Sequence, residues 1–191
     1  MNTSKQGFWS RLVAAFKGEK QADTTNKSNV EMTAAKGVTG DTLKLVAPIT
    51  GKLISLSEIP DPVFSQGMMG TGFGIEPTEG KVVSPVNGKV ISVFPTKHAV
   101  TLQAEDGTEI LIHFGLDTTL LKGEGFTSHV ADGQAVKAGD MLLTVDIEAI
   151  KDKVPSLSTP VVFPSLKEGK EIIISKNGNV TCGEEDRIEI K

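Results

Sequence analysis

The chain has 191 residues and a formal net charge of −4 at neutral pH, so it lacks the domain-wide positive charge that is typical of nucleic acid binding proteins. It contains no tyrosine and one tryptophan, which leaves few aromatic rings to stack on bases. Its single cysteine, Cys182, cannot form an internal disulfide bond, and no apolar run approaches the roughly 20 residues that cross a bilayer. The composition predicts a cytoplasmic protein with one domain and a tail, and no nucleic acid partner.

Residues 1–17 are predicted to form a short amphipathic helix. One side of this helix carries large apolar residues at helical spacing, namely Phe8, Trp9, Leu12, Val13 and Phe16. Residues 18–40 are polar and are predicted to be a flexible linker, because they contain too few apolar side chains to offset the entropy of ordering. A helix separated from the domain in this way is expected to bind the inner face of the membrane. Packing against the domain or against a partner protein are the alternatives.

Residues 41–191 are predicted to form an all-β domain, an antiparallel sandwich or barrel. Residues 45–56 and 82–93 repeat one pattern, in which proline, glycine and lysine recur at the same offsets between short apolar runs. Residues 130–145 add further short strands separated by glycine-containing turns. Short strands at regular spacing with such turns are typical of sandwiches and barrels, and no helical segment alternates with them.

Two of the three histidines are predicted to lie together on this domain. Asp106-Gly107 favours a two-residue type I′ hairpin turn, which would pair Val100 with His113 across two antiparallel strands. Since side chains alternate with a period of two, His98 and His113 would then share one face together with Val100 and Thr96. A register that differed by one residue would place the two rings on opposite faces.

Such a pair of imidazoles has three interpretations. A neutral imidazole is a good nucleophile near neutral pH, and it can attack a phosphoryl group while the second ring donates a hydrogen bond to the phosphoryl oxygens. Thr96 could then fix the tautomer of His98. Alternatively, His98 and His113 could bind zinc, although two ligands are one or two fewer than a zinc site usually has. The third interpretation is two histidines that are merely hydrogen-bonded on the sheet.

Several motifs resemble one known family in order and spacing. The longer ones are Pro95–Ala99, Ile110–Thr118 and Leu121–Phe126, and the shorter ones are Pro60-Asp61 and Val136–Asp140. Together they resemble the glucose-type IIA component of the bacterial phosphoenolpyruvate-dependent sugar phosphotransferase system, over about residues 43–190. The Met1 start and the short tail favour a separate protein over a fused domain.

The resemblance implies a compact antiparallel β-sandwich that acts as a phosphotransferase component. It implies that His113 is the phosphorylated residue and that His98 and Thr96 stabilise the phosphoryl group. It further implies that HPr is the donor and that the IIB cysteine of a membrane sugar permease is the acceptor. In enteric members the free protein also regulates permeases and glycerol kinase, which makes regulation a further expectation here. No cofactor is expected to be required, and the two-histidine zinc site at His98 and His113 stays an alternative.

The resemblance also implies a docking face shared by both partners. Its apolar residues would be Val63, Phe64, Met68, Met69 and Phe94. Asp61 is close in sequence to Val63 and Phe64, and Asp117 is close to His113; both are expected to orient a ring or to meet a basic partner. The chain departs from the family pattern at Thr71, where an acidic residue is common, and at Leu120, where many members carry glutamate.

Three other classes of protein share features with this sequence. A zinc peptidase of the lysostaphin type needs a His-x-His strand, whereas Phe114-Gly115 follow His113 here. A biotinyl or lipoyl carrier needs a lysine at a hairpin tip, which Asp106-Gly107 does not provide. A purely regulatory protein would bind the same partners without carrying phosphate on His113.

The membrane expectation for residues 1–17 has a direct test. Full-length protein should sediment with liposomes that contain anionic lipid, and protein comprising residues 19–191 should bind them less, because the apolar side of the helix would be missing. Equal binding of the two proteins would contradict the membrane interpretation.

Overall fold

The computed structural model describes residues 42–191. The predicted helix at residues 1–17, with its apolar residues, and the predicted linker at residues 18–40 lie outside the described part. Within residues 42–191, no helix is long and apolar enough to span a membrane.

The described residues form short strands and a few single-turn helices. The strands are β1 (Leu43–Leu45), β2 (Ile49–Ser55), β3 (Thr71–Val83), β4 (Gly88–Val93), β5 (Ala99–Ala104), β6 (Glu109–His113), β7 (Phe126–Ser128), β8 (Ala135–Val136), β9 (Met141–Val145), β10 (Thr159–Phe163), β11 (Ile172–Ile174), β12 (Gly178–Val180) and β13 (Ile188–Ile190). The 3₁₀ helices are η1 (Leu56–Glu58) and η2 (Thr118–Leu121), and the α-helices are α1 (Pro62–Ser65) and α2 (Ile147–Ile150).

All strand pairs in the described domain are antiparallel, which confirms the predicted all-β class. The larger sheet has the order β12-β2-β3-β10-β6-β5-β4-β8, with β9 pairing to β3 and β7 pairing to β9. The smaller sheet has the order β1-β13-β11. One cluster of buried apolar side chains receives residues from both sheets and forms the main core.

The two copies of the repeated sequence pattern contact each other reciprocally. Val46 in the first copy donates its N–H to the carbonyl of Pro85 at 3.0 Å, and Val83 in the second copy donates to the carbonyl of Pro48 at 2.9 Å. Val83 and Pro85 occupy the same places in the second copy as Val46 and Pro48 in the first. The two hydrogen bonds are therefore related by an approximate twofold axis.

The same symmetry extends to two turns near the carboxyl end of the chain. Ala47 donates its N–H to the carbonyl of Glu184, and Ser84, its counterpart, donates to the carbonyl of Asp140, both at 2.8 Å. Residues 180–184 thus take the place beside the first copy that residues 138–140 take beside the second.

Each copy also fixes its turn with one polar side chain at the same place. The Oγ1 atom of Thr50 accepts the N–H of Cys182 at 3.0 Å, and the Oδ1 atom of Asn87 accepts the N–H of Ala138 at 2.9 Å. This explains why the position before the repeated glycine is a hydrogen-bonding residue in both copies, although threonine and asparagine differ in shape.

The sheet has two buried faces, and this arrangement positions the functional site. Val100, Leu102 and Ile112 point into the main core. Leu111 and His113 belong to the opposite face, because side chains alternate along β6. A second buried layer covers that face, and it contains Ile54, Ile59, Phe64, Leu111 and Val162.

A glycine in β3 allows this second layer to lie close to the sheet. A Cβ atom at Gly74 would lie 2.7 Å from Cδ1 of Ile59 and 2.8 Å from Cγ1 of Ile54, which is too close for carbon atoms. The missing side chain thus leaves room for the segment that contains η1 and α1, and this segment carries Phe64 to the histidines.

The repeated glycines, Gly51 and Gly88, should be essential to the stability of the fold. A Cβ atom at Gly51 would overlap the carbonyl oxygen of Glu76, and one at Gly88 would overlap that of Gln103. We expect Gly88→Ala to lower the free energy of unfolding by about 1–3 kcal/mol or more, as overpacking does.

Urea denaturation followed by circular dichroism would measure this change. Lys89→Ala is the matched control, because Lys89 is the next residue in β4 and its side chain is exposed. An unchanged denaturation midpoint for Gly88→Ala would contradict the close strand approach described above.

Candidate functional site

The imidazole rings of His98 and His113 lie side by side on the sheet. Their ring centroids are 4.6 Å apart and their planes are inclined by 75°. His98 is 1% exposed and His113 is 2% exposed, which is unusual for a side chain that can carry charge. The predicted proximity of the two histidines is therefore confirmed.

The hairpin register that led to this prediction is wrong by one residue. The structure pairs Ala99 with His113, whereas a two-residue turn would have paired Val100 with His113. The connection has three residues, since Ala104 donates its N–H to the carbonyl of Thr108 at 2.8 Å. Gly107 adopts a left-handed conformation (φ 89°), which is typical of three-residue hairpins with a bulge.

The two rings meet despite this shift because His98 precedes the regular part of β5. Lys97 has a positive φ of 55° and donates its N–H to the carbonyl of Phe94 at 2.7 Å, which closes a tight turn. The alternation of side chains is broken there, so the His98 ring lies beside His113. Val100 obeys the alternation and faces the core, which contradicts its predicted place beside the histidines.

The hydrogen bonds of the rings determine where their protons lie. Nδ1 of His113 is 2.8 Å from the carbonyl oxygen of Gly115. A carbonyl can only accept, so Nδ1 carries the proton and Nε2 of a neutral His113 holds the lone pair. Nδ1 of His98 lies 2.6 Å from Oγ1 of Thr96, as expected for a residue that orients the ring. When the Thr96 hydroxyl donates, Nε2 of His98 carries a proton that can be given to an anion.

Burial keeps both rings neutral near pH 7. It lowers the pKa of His98 far below the usual value of 6.5, and the neighbouring His113 lowers it further. Burial also lowers the pKa of His113 to about 4, although the hydrogen bond to Gly115 and the charges of Asp61 and Asp117 act in the opposite direction. The Nε2 lone pair of His113 is therefore available over the physiological pH range.

Two phenylalanines flank the histidine pair. The ring centroid of Phe64 is 5.5 Å from that of His113, and the centroid of Phe94 is 5.5 Å from that of His98. Phe64 lies on α1, whose first turn is capped by Asp61, since Oδ1 of Asp61 accepts the N–H of Val63 at 2.8 Å. Asp61 thus has a structural role in addition to its effect on the pKa of His113.

The predicted docking residues differ in exposure. Phe64 and Met69 are buried, whereas Val63 and Phe94 are half-buried. Met68 is 67% exposed, and Leu120, which lies on η2 soon after His113, is 75% exposed. Exposed apolar side chains are typical of protein contact surfaces where several of them lie together. Asp117, at the start of η2, is half-buried and has a left-handed conformation.

The described residues offer no support for the zinc expectation. Nowhere in residues 42–191 do three or more histidine, cysteine, aspartate or glutamate side chains form a group that could hold a metal ion. His98 and His113 supply two nitrogen atoms, which is fewer ligands than zinc usually takes.

Sequence reasoning missed the role of Gly115. Its carbonyl fixes the proton of His113, and its φ of 70° lies in the left-handed region that favours glycine. The glycine itself, two residues after the histidine, was the available signal for an irregular backbone at the end of β6.

Comparison with known proteins agrees with this geometry. The family model for the phosphoenolpyruvate-dependent sugar phosphotransferase system, EIIA 1, matches residues 43–169. A glucose-specific EIIA component of the phosphotransferase system from Oceanobacillus iheyensis is 49% identical over 148 residues, which is 78% of this chain and 90% of that protein. A counterpart from Bacillus anthracis is 47% identical over 146 residues, which is 76% of this chain and 88% of that protein.

A solved structure and a longer relative complete the comparison. The glucose permease IIA from Mycoplasma capricolum has a TM-score of 0.74 and 43% identity, with 80% of this chain and 99% of that chain covered. A glucosamine-specific EIICBA component from Bacillus subtilis is 54% identical over 123 residues, which is 64% of this chain and 20% of that protein. The resemblance seen in the sequence is thus confirmed, and the chain belongs to the EIIA 1 family of the phosphoenolpyruvate-dependent sugar phosphotransferase system, as a phosphoryl carrier.

Proposed function

We propose that His113 accepts a phosphoryl group from phospho-HPr and passes it to the IIB cysteine of a sugar permease. The observation that carries this proposal is the hydrogen bond from Nδ1 of His113 to the carbonyl of Gly115. It leaves the Nε2 lone pair as the nucleophile, and burial keeps that nitrogen unprotonated near pH 7.

The phosphoryl transfer then proceeds in two steps. The Nε2 lone pair of His113 attacks phosphorus, a nitrogen–phosphorus bond forms, and the bond between phosphorus and the donor breaks with its electron pair returning to HPr. In the second step the IIB thiolate attacks the same phosphorus, and the electron pair of the nitrogen–phosphorus bond returns to Nε2. His98 donates a hydrogen bond from its own Nε2 to the phosphoryl oxygens, and Thr96 holds His98 in the required tautomer.

The surface around the histidines supports docking of a partner protein. Met68 and Leu120 are strongly exposed, and Phe94 is half-buried beside His98. Apolar side chains of this kind can be covered when HPr or IIB binds, and flexible methionines fit more than one partner. His98 and His113 are almost fully covered, so we infer that neighbouring side chains move when the phosphoryl group reaches Nε2 of His113.

We infer glucose as the sugar and the cytoplasm as the location of this carrier. The inference of glucose rests on relatives that are named glucose-specific and are close to half identical to this chain. The sugar itself does not enter the site, since only a phosphoryl group is transferred there. Regulation of permeases by the unphosphorylated form stays a prediction from the family resemblance.

The carrier role can be tested by phosphoryl transfer from phosphoenolpyruvate through enzyme I and HPr. Wild-type protein should acquire acid-labile phosphate, and His113→Ala should acquire none, because the nucleophile is lost. His98→Gln should still accept phosphate but pass it to IIB poorly, since the second ring no longer donates to the phosphoryl oxygens. Wild-type protein without label, while HPr in the same reaction is labelled, would contradict the proposal.

Burial of the neutral imidazole also predicts how stability depends on pH. The folded-state pKa of His113 is about 4 and the usual value is 6.5, so between these values the unfolded chain binds a proton that the folded chain does not. His113 therefore does not lower the free energy of unfolding above about pH 6.5. As the pH falls from 6.5 towards 4, the free energy of unfolding decreases by up to about 1.4 kcal/mol per pH unit.

Urea denaturation from pH 7 to pH 4 would measure this contribution. His113→Gln should lose less stability over that range than wild type, because the neutral glutamine does not titrate. Carboxylates and His98 titrate in both proteins, so the difference between the two curves reports the contribution of His113 together with its effect on His98. Parallel curves would show that His113 has an ordinary pKa in the folded state.

A further inference from the structure

We propose that Thr159 is a positioning residue for the His113 nucleophile and that it acts through Gly115. This inference rests on the proposed function, because it concerns which nitrogen of His113 attacks phosphorus. Thr159 begins β10, is fully buried, and lies 44 positions further along the chain than Gly115. Its hydroxyl group accepts the N–H of Gly115 at 3.3 Å, a long hydrogen bond that is easily lost.

The hydroxyl group of Thr159 is oriented by a second hydrogen bond. It donates to the carbonyl of Leu157 at 2.9 Å. A hydroxyl has one proton, so this bond turns its lone pairs towards the N–H of Gly115. The Thr159 hydroxyl therefore accepts from Gly115 and donates to Leu157. A methyl group in place of the hydroxyl would remove both hydrogen bonds.

The backbone on the other side of Gly115 is anchored to the same segment. Leu116 donates its N–H to the carbonyl of Ser156 at 2.8 Å. The N–H of Leu116 and the carbonyl of Gly115 belong to one planar peptide group, so this bond sets the direction of the carbonyl that His113 uses. Thr159 holds the preceding peptide group, and together the two anchors fix the left-handed conformation of Gly115 (φ 70°).

The space around Gly115 is also restricted. A Cβ atom there would lie 2.8 Å from Cγ2 of Thr118 and 3.3 Å from the carbonyl oxygen of Ser156. Only glycine fits, but glycine has the greatest backbone freedom of all residues. A flexible residue can supply a fixed carbonyl only when its neighbours hold it, and Thr159 is the one buried side chain that accepts the N–H of Gly115 among the described hydrogen bonds.

The consequence for His113 follows from proton counting. A neutral imidazole carries one proton, which stays on Nδ1 while the Gly115 carbonyl accepts it. If the carbonyl moves away, the proton is free to shift to Nε2, and the lone pair that attacks phosphorus is lost from that nitrogen. Thr159 would thus control the tautomer of a ring that it does not touch.

Nitrogen-15 NMR of the unphosphorylated full-length protein would test this through the His113 tautomer. We expect wild type and Thr159→Ser to hold the proton on Nδ1, since both keep a hydroxyl group. Thr159→Val and Thr159→Ala should show a larger Nε2–H fraction and accept phosphate from phospho-HPr roughly five- to tenfold more slowly, the effect of one hydrogen bond. If Thr159→Val does not fold, the His113 tautomer in Thr159→Ser is compared with that in Thr159→Ala.

Ser84→Ala is the matched control. Ser84 is also fully buried, and its hydroxyl donates to the carbonyl of Val86 in the second copy of the repeat and not to the loop that contains Gly115. A tautomer shift in Ser84→Ala as large as in Thr159→Ala, or none in Thr159→Ala, would overturn the proposal. The carrier role is judged separately, because loss of phosphate labelling in wild type contradicts that role whereas an unchanged tautomer contradicts only the role of Thr159.

Discussion

The reciprocal crossing of the two repeated segments is the constraint on which the rest of the structure depends. Val46 and Val83 each donate a hydrogen bond to the proline of the other copy, so the start of each copy lies against the other. This crossing brings together strands that are far apart in sequence, and their inner faces form one apolar core. The opposite face of β5 and β6 does not contribute to this core, and the histidine pair lies at its end.

The histidine pair lies where regular strand structure stops. His98 precedes β5 and His113 ends β6, and antiparallel pairing brings these two strand ends to the same edge. Left-handed residues adjoin both histidines, with Lys97 before one and Gly115 two positions after the other. Such conformations are costly for most residues, and they persist where surrounding contacts hold them. At this site they direct two side chains towards each other that strand alternation would have separated.

The repeats and turns made the fold predictable, whereas the details of the site depend on contacts that leave little trace in sequence. Proline and glycine at fixed offsets predicted the duplicated strands, and the hairpin turn at Asp106-Gly107 predicted that His98 and His113 lie close together. The hairpin register was wrong because Asp106-Gly107 fits both a two-residue turn and a three-residue turn, and local sequence does not separate the two. The hydrogen bond between Thr159 and Gly115 joins positions that are 44 residues apart, so a local sequence pattern does not predict it.

On the proposed function, burial of the histidine pair serves release of the phosphoryl group as well as its capture. An ionised imidazole beside the anionic phosphoryl oxygens would form an ion pair in addition to a hydrogen bond, and this would hold the group more tightly than a neutral donor does. Burial lowers the pKa of His98 and so favours a neutral donor at this position. A carrier must bind the group well enough to accept it and weakly enough to give it up. The same low-dielectric surroundings that keep the nucleophile of His113 unprotonated therefore also limit how tightly its neighbour holds the product.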